Sequence, residues 1–489
     1  MNIQNRLETN PVSYGTKRAF SSLEDIAGKN VTVMGLGLHG GGEASVRFLL
    51  RYGANVTVTD MKTQAELQKS VDSLNNDSTI DKSRLKFVLG KHDIEDFENA
   101  DCVIKNPIVK YTGNKFLAAS SYVESDLSLF LQFTKSPIIA VTGSKGKSST
   151  VSAIHYGLNE AGIKTLLGGN ITVSPLTFFE QTLGENPPLV VLELSSWQLA
   201  DLRGRKLLKP KISVITKIVP DHQNWYGNME SYVADKKLIF ADQDCDDIFL
   251  CSNENDGWGD IFAKESNAKV VRYPDDFSQE LRNGSENNTN WLDNLSIPGE
   301  HNKTNVLNAA YIMQELGVKT DSIFEILKQY KGIGHRLEFF HTWNTTNCEC
   351  KFYNDSAATV PESTVAAINS FPSQLHLITG GTDKELDFSP LVSTLEKETG
   401  RLKSLFLLGG TGTDKLIDLL NQKNSKVQYF GPYNSLSELL YDLQLFLKKQ
   451  CTADDQNIVF SPGATSFGMF KNEFDRGDTF KSRVKDIFH

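Results

Sequence analysis

The residues best suited to chemistry lie between Ile138 and Thr150. The apolar run Ile138-Ile139-Ala140-Val141 leads into Thr142-Gly143-Ser144-Lys145-Gly146-Lys147-Ser148-Ser149-Thr150. Val151, Ile154 and Leu158 then recur at helical spacing before Gly162, a suitable helix stop. A buried parallel strand, a Gly/Lys/Ser loop and a helix together make a polyphosphate cradle. Backbone N–H groups and the helix N-terminus face the phosphates, Lys147 adds a point charge, and Ser148 is placed to ligate Mg²⁺. The common form of this motif has glycine where Val141 stands. The competing reading is an ordinary glycine-rich turn.

Other polar residues stand at the ends of apolar runs. Glu193 closes Leu189–Leu192 and precedes Ser195-Ser196-Trp197-Gln198. An acid there, beside the phosphate-loop strand, suits a Mg²⁺ ligand. Asp221-His222 follows the strand predicted at Ile212–Thr216, at the strand end where α/β sites form. Lys236-Lys237 lies amid Tyr232, Leu238, Ile239 and Phe240 and reads on its own as a snorkelling surface pair. Gly332-Ile333-Gly334-His335-Arg336 reads as a hinge whose arginine can clamp phosphate.

These residues must be positioned by a chain of 489 residues, enough for about two to four domains. Hydrophobic content of 39% and charged content of 23% describe a globular protein with ample core. A net charge of −9 argues against a general nucleic-acid binder. No run reaches the roughly 18 apolar residues of a membrane span, and no apolar signal core opens the chain. The scattered cysteines read as reduced thiols, and Cys348-Glu349-Cys350 alone is a poor zinc signal. Asn287-Asn288-Thr289 and Asn344-Thr345-Thr346 read as chance matches to glycosylation acceptors.

Residues 1–27 read as a polar extension. Strands are expected at Val31–Met34, Val56–Thr59 and Asp101–Ile104. Gly35-Leu36-Gly37-Leu38-His39-Gly40 between the first two, with Asp60 about twenty positions on, forms a dinucleotide-type fingerprint. It places a nucleotide diphosphate on a helix N-terminus without saying which, and strand–helix packing without ligand is the alternative. Residues 281–290 read as a polar loop or hairpin tip. A last α/β unit has strands expected at Cys350–Tyr353, Leu375–Thr379, Leu405–Leu408, Val427–Phe430 and Ile458–Phe460. The expectation is three α/β domains: 1–135, Rossmann-like; 136–335, a P-loop-type ATPase domain with a mostly parallel sheet; and 336–489, Rossmann-like.

Taken in order, these blocks resemble the Mur ligases of peptidoglycan synthesis. The resemblance also rests on Gly168-Gly169-Asn170-Ile171, Gly299-Glu300-His301-Asn302-Lys303-Thr304-Asn305, Gly334-His335-Arg336, Asn354-Asp355-Ser356 and Phe470-Lys471-Asn472. It covers nearly the whole chain from Val31 and is strongest with the members that add glutamate to UDP-N-acetylmuramoyl-L-alanine. It implies a cytoplasmic, monomeric, ATP-dependent ligase working through an acyl phosphate, with UDP on the first domain and the incoming amino acid on the third. It implies that Gly143, Ser144, Lys145, Gly146, Lys147, Ser148 and Ser149 hold ATP, with Asn302 and Asn305 at adenine, Arg336 at phosphate and Asp355 at ribose. Ser148 and Glu193 would hold one Mg²⁺, and His222 with a carbamylated Lys236 a second. Lys236 is preferred to Lys237 by its spacing from Tyr232. Lys147, Glu193, His222, Lys236 and Arg336 are the implied catalytic set. Leu38, His39, Asp60, Asn170, Ser195 and Gln198 would line the UDP-muramoyl substrate, and Thr359, Lys384, Ser466 and Phe467 the glutamate. The resemblance further implies a third domain that swings about Arg336.

The chain departs from the pattern at four places. Ala357 replaces a lysine, Glu473 an aromatic residue, Asn224 an aspartate and Lys217 an asparagine. D-Glutamate is the expected amino acid, with L-glutamate or another residue as alternatives. A folylpolyglutamate synthetase-like ligase leaves the Gly35-x-Gly37 domain unexplained, and an NAD-dependent oxidoreductase leaves the phosphate loop unexplained. A non-catalytic scaffold is disfavoured because Lys147 and Glu193 are both present.

Overall fold

The computed structural model describes residues 13–37, 40–171, 173–253, 257–285, 288–345, 348–450 and 456–489. Its strands form three sheets. The first contains β1 (Asn30–Met34), β2 (Asn55–Asp60), β3 (Leu85–Leu89), β4 (Cys102–Lys105) and β5 (Val123–Glu124). It is parallel, in the order β3-β2-β1-β4-β5. The second contains β6 (Ile138–Thr142), β7 (Thr165–Gly169), β8 (Leu189–Glu193), β9 (Ile212–Ile215), β10 (Ile248–Ser252) and β11 (Lys269–Tyr273). It too is parallel, in the order β11-β10-β9-β6-β8-β7. The third contains β12 (Glu338–Asn344), β13 (Glu349–Asn354), β14 (Leu375–Thr379), β15 (Leu402–Leu408), β16 (Phe430–Tyr433) and β17 (Gln456–Phe460). Its order is β12-β13-β17-β14-β15-β16, and only the β12–β13 pair is antiparallel.

Strands buried on both faces are written as continuous apolar runs. All of β6 is buried, and helix Lys147–Glu160 lays Val151, Ile154 and Leu158 on the sheet with no exposure. Each such side chain contributes about 1.5–3 kcal/mol by leaving water. Parallel connections direct all the strand C-terminal ends of a sheet to one edge, where loops can converge.

The chain divides into two compact units, Met1–Ser285 with Asn305–Ile323, and Glu286–Thr304 with Phe324–His489. The first contains the first two sheets, joined by buried charge pairs. Lys105 Nζ lies 2.9 Å from Asp201 Oδ1, and Arg205 Nη1 lies 2.8 Å from Glu124 Oε2. Phe48 meets Phe179 edge-on at 5.2 Å in the same junction.

Three expectations are corrected. The described part of the N-terminal extension packs into the fold: Tyr14, Phe20 and Ile26 are buried. The strand expected at Val427–Phe430 runs instead from Phe430 to Tyr433; Pro432 is tolerated because this is an edge strand. Residues 281–290 contain no hairpin among the described residues. Helix Gln279–Asn283 ends there, and a short turn of helix at Trp291–Asn294 follows.

Candidate active site

Register brings the chemistry of the second sheet together. Val141 of β6 pairs with Glu193 of β8 on one side and Val214 of β9 on the other. The phosphate loop therefore emerges between the loop after Glu193 and the loop carrying Asp221-His222. Gly143 has φ 143° and Gly146 φ 93°, angles that side chains rarely adopt. There is also no room for a side chain. A Cβ on Gly143 would lie 2.0 Å from Thr216 Oγ1, and one on Gly146 2.7 Å from Asn305 Oδ1.

The loop is pinned from β9. Thr216 Oγ1 donates to Thr142 O and Lys145 O at 3.0 and 2.7 Å. Ser144 N and Lys145 N donate to Lys217 O. Ser144 Oγ donates to Val219 O at 2.9 Å, so its hydroxyl holds the loop. Lys145 is exposed and lies 3.8 Å from Asp221. Lys147 Nζ donates to Gly143 O and Ser144 O at 3.1 Å, setting its charge at the loop mouth. Ser148 and Ser149 stand half-buried in the first helical turn. Thr150 Oγ1 donates to Asn305 Oδ1 at 3.2 Å, placing Asn305 against the loop.

Glu193 is buried at the end of β8. Its Oε1 accepts from Asn170 Nδ2 at 2.9 Å, while its buried Oε2 has no hydrogen-bond partner among the described residues. An orphaned carboxylate oxygen beside a phosphate loop fits a hard divalent cation. Among the described residues no group of three or more His, Cys, Asp and Glu gathers. Mg²⁺ is a hard divalent cation of that kind, usually held by one or two carboxylates together with water and phosphate. His222 is exposed at φ 51°, its ring 4.7 Å from that of Trp197.

Lys236 and Lys237 separate sharply. Lys237 pairs with Glu265 at 2.7 Å. Lys236 is buried under the loop, donating to Gly143 O at 2.7 Å and lying 4.6 Å from the Tyr232 ring centre. Burial, and next the nearby charge of Lys147, hold its ammonium well below the ordinary lysine range. The free amine so favoured is a nucleophile, which an ammonium is not.

Ser195 and Gln198 form a capping box at helix Ser196–Ala200. Gln198 N donates to Ser195 Oγ at 3.2 Å, and Ser195 N to Gln198 Oε1 at 3.0 Å. In the first sheet, Asp60 Oδ2 accepts from Leu36 N and Gly37 N at 3.0 and 3.3 Å. The acid of the fingerprint therefore shapes the glycine loop itself. A small open pocket lies there between Gly35, Gly41, Ser45, Lys105, Asn106 and Asp126. Leu38 and His39 lie outside the described residues.

The second unit carries the remaining expected residues. Asn302 Nδ2 donates to Pro298 O at 2.7 Å. Arg336 is exposed in a tight turn bridged to Ile333. Asp355 follows β13, with Ser461 Oγ donating to its Oδ2 at 2.7 Å and Leu337 N to its Oδ1 at 3.2 Å. Lys384, after β14, lies 5.6 Å from the ring centre of Phe467, after β17. Ser466 is buried beside Phe467, and Thr359 is half-buried after β13. Thr216, Ser461 and Arg476, which tie these loops down, were not singled out from sequence. Thr216 and Ser461 share the one available signal, a hydroxyl directly after an apolar strand.

Desolvation pushes the Asp355 carboxyl up to about 7. Below about pH 4 both folded and unfolded chains hold its proton, and between about 4 and 7 only the folded chain does. Stability from this group is therefore full in acid and lost as pH rises through 7. The loss approaches about 2–4 kcal/mol. Asp355→Asn is expected to raise Tm at about pH 8.5 and to lose that advantage by about pH 4–5. Equal Tm differences at both pH values would contradict a neutral buried acid.

Phosphate loop, orphaned acid and buried amine converge on the carboxyl edge of one parallel sheet, the arrangement of a nucleotide-using α/β enzyme. The chain belongs to the Mur ligase family. The model of the Mur ligase middle domain matches residues 141–313. The UDP-N-acetylmuramoylalanine–D-glutamate ligase of Treponema pallidum is 39% identical, covering 95% of this chain and 98% of that protein. The enzyme of the same name from Borreliella afzelii is 40% identical, covering 94% and 99%. Among solved structures, the UDP-N-acetylmuramate-alanine ligase MurC of Thermotoga maritima matches with TM-score 0.53 and 15% identity, over 94% of this chain and 99% of that one. The latter likeness concerns the fold.

Proposed function

We propose that this chain joins D-glutamate to UDP-N-acetylmuramoyl-L-alanine with hydrolysis of ATP to ADP and phosphate. The substrate carboxylate takes the γ-phosphoryl group to become an acyl phosphate. The glutamate amine then attacks that carbonyl, forming the amide and releasing phosphate. A free carboxylate is a poor electrophile, so the protein's task is to position reactants and neutralise charge. One observation carries the reading: Lys147, Glu193 and Lys236 stand around one phosphate loop, in a chain about 40% identical to ligases of that name.

The roles follow from position. The loop from Gly143 to Ser149 binds the triphosphate, and Asn305 braces it. Ser148 and Glu193 would hold one Mg²⁺, and His222 with carbamylated Lys236 a second. Bound Mg²⁺ would offset the charge of the phosphates. Asn302 and Asn305 are assigned to adenine, Arg336 to phosphate and Asp355 to ribose. Asp60 shapes the loop that receives the UDP diphosphate, and Asn170, Ser195 and Gln198 are assigned to the muramoyl side. Thr359, Lys384, Ser466 and Phe467 are assigned to glutamate. We assign residues 1–135, 136–335 and 336–489 to the UDP, ATP and amino-acid domains, in a cytoplasmic monomer. No helix among the described residues is long and apolar enough to cross a membrane.

The test is phosphate release with UDP-N-acetylmuramoyl-L-alanine and ATP, offering D-Glu, L-Glu, D-Asp and lysine separately. Turnover is expected with D-Glu. Preference for L-Glu would overturn the stereochemistry, and turnover with none of the four would overturn the reading.

A further inference from the structure

Arg476 is the fully buried arginine of helix Glu473–Ile487, with no exposure at all. No carboxylate pairs with it within salt-bridge distance among the described residues. Instead its fork is spent on two loops. Nε donates to Ser356 Oγ at 3.0 Å, Nη2 to Ser356 O at 2.8 Å, and Nη1 to Ala464 O at 3.0 Å. A third loop rests on it, for a Cβ built on Gly381 would lie 3.6 Å from Nη1. Desolvation is the main reason its guanidinium is held down, to about 10.

The three loops follow β13, β14 and β17, adjacent in the third sheet. They are also stitched to one another. Thr382 and Thr465 exchange backbone hydrogen bonds at 3.1 and 3.0 Å, Gly380 N donates to Pro462 O, and Gly463 N to Ala358 O. Thr382 Oγ1 donates to Phe467 O. Together they carry Thr359, Lys384, Ser466 and Phe467. A buried cation with no carboxylate at salt-bridge distance is costly, since Glu473 and Asp355 act on it only from farther away. Here the cost is offset by charge-assisted hydrogen bonds to loop carbonyls.

We infer that Arg476 is a positioning residue for the amino-acid pocket, setting the spacing of three loops through a fork none of whose atoms need touch substrate. The inference deepens the glutamate assignment above and rests on it. Lysine cannot reproduce the effect, because it presents a point donor rather than a planar fork.

The experiment uses full-length Arg476→Lys, with Ser356→Ala as the milder second variant. Arg476→Lys is expected to raise KM for glutamate about tenfold or more, with KM for the UDP-linked substrate within about twofold. Ser356→Ala, which removes one acceptor, is expected to raise it about threefold. A purely structural arginine would lower the active fraction and hence kcat alone, so unchanged glutamate KM in both variants overturns the inference. Amide exchange is read alongside, since it needs no turnover. Faster exchange at residues 381–384 and 465–467 is expected in Arg476→Lys, and unchanged exchange there overturns the inference. A wild-type chain that does not ligate glutamate would sink the assigned substrate, while the exchange result would still decide the loop-setting role.

Discussion

Lys147→Ala is expected to lower kcat by about 10²–10³-fold, with no more than a small change in Tm. The ammonium sits in the first turn of its helix, held at 3.1 Å by two carbonyls of the loop it crosses. A charge so placed is oriented before reaction, and in the role proposed for it would stand where phosphoryl charge migrates. Lys147→Arg should rescue little, since a planar fork does not substitute for a compact ammonium in a glycine cradle. Steady-state phosphate release measures the effect. Loss of less than about threefold would remove Lys147 from the reaction. The same change has a second arm. The charge of Lys147 helps hold the Lys236 ammonium down, so its removal makes Lys236 easier to protonate. The double variant should therefore be less than additive.

Lys236→Ala is expected to lower activity about 10–100-fold, and added formate or acetate should restore part of it. Burial disfavours the charged form of Lys236, and in its neutral form the nitrogen would add CO₂: the N–C bond forms, the nitrogen gives up a proton, and an anionic carbamate results. Short carboxylates would occupy the cavity left by the missing side chain and return the negative charge. ¹³C NMR with labelled bicarbonate gives a readout independent of turnover, a carbamate signal present in wild type and absent in Lys236→Ala. Near-normal activity in the variant would defeat the carbamate assignment. Tm should fall as well, because the change empties a buried site and takes the donor from Gly143 O; the labelled-bicarbonate signal separates that loss from the carbamate.

The phosphate loop was legible because an unbroken apolar strand, two glycines and a lysine leave few alternatives. The three α/β modules were legible for a similar reason, since β6, β8, β14 and β17 are apolar runs ended by polar loops. Less could be read where partners are distant in sequence. Tyr14, Phe20 and Ile26 are isolated apolar residues in a polar stretch, with no period to mark them as core. The strand β12 alternates weakly at a half-buried sheet edge. Asp60 reads as lining the UDP-linked substrate until its Oδ2 is found on Leu36 and Gly37 N–H. Arg476 lies in the charged stretch Glu473-Phe474-Asp475-Arg476, where charge ordinarily means solvent. Lys236 and Lys237 are indistinguishable by type, and the end of helix Met229–Lys236 decides which one is buried.

The ion pairs between the first two sheets bear on how this protein can be dissected. Asp201 and Arg205 lie between β8 and β9 of the second sheet, after helix Ser196–Ala200, while Lys105 and Glu124 belong to β4 and β5 of the first. A truncated gene beginning near residue 136 would therefore express a fragment carrying two charges shorn of their mates. The cut would also uncover apolar surface such as Phe179, now shielded by Phe48, at about 1.5–3 kcal/mol for a side chain of that size. Recombinant fragments should be cut so that both sheets travel together.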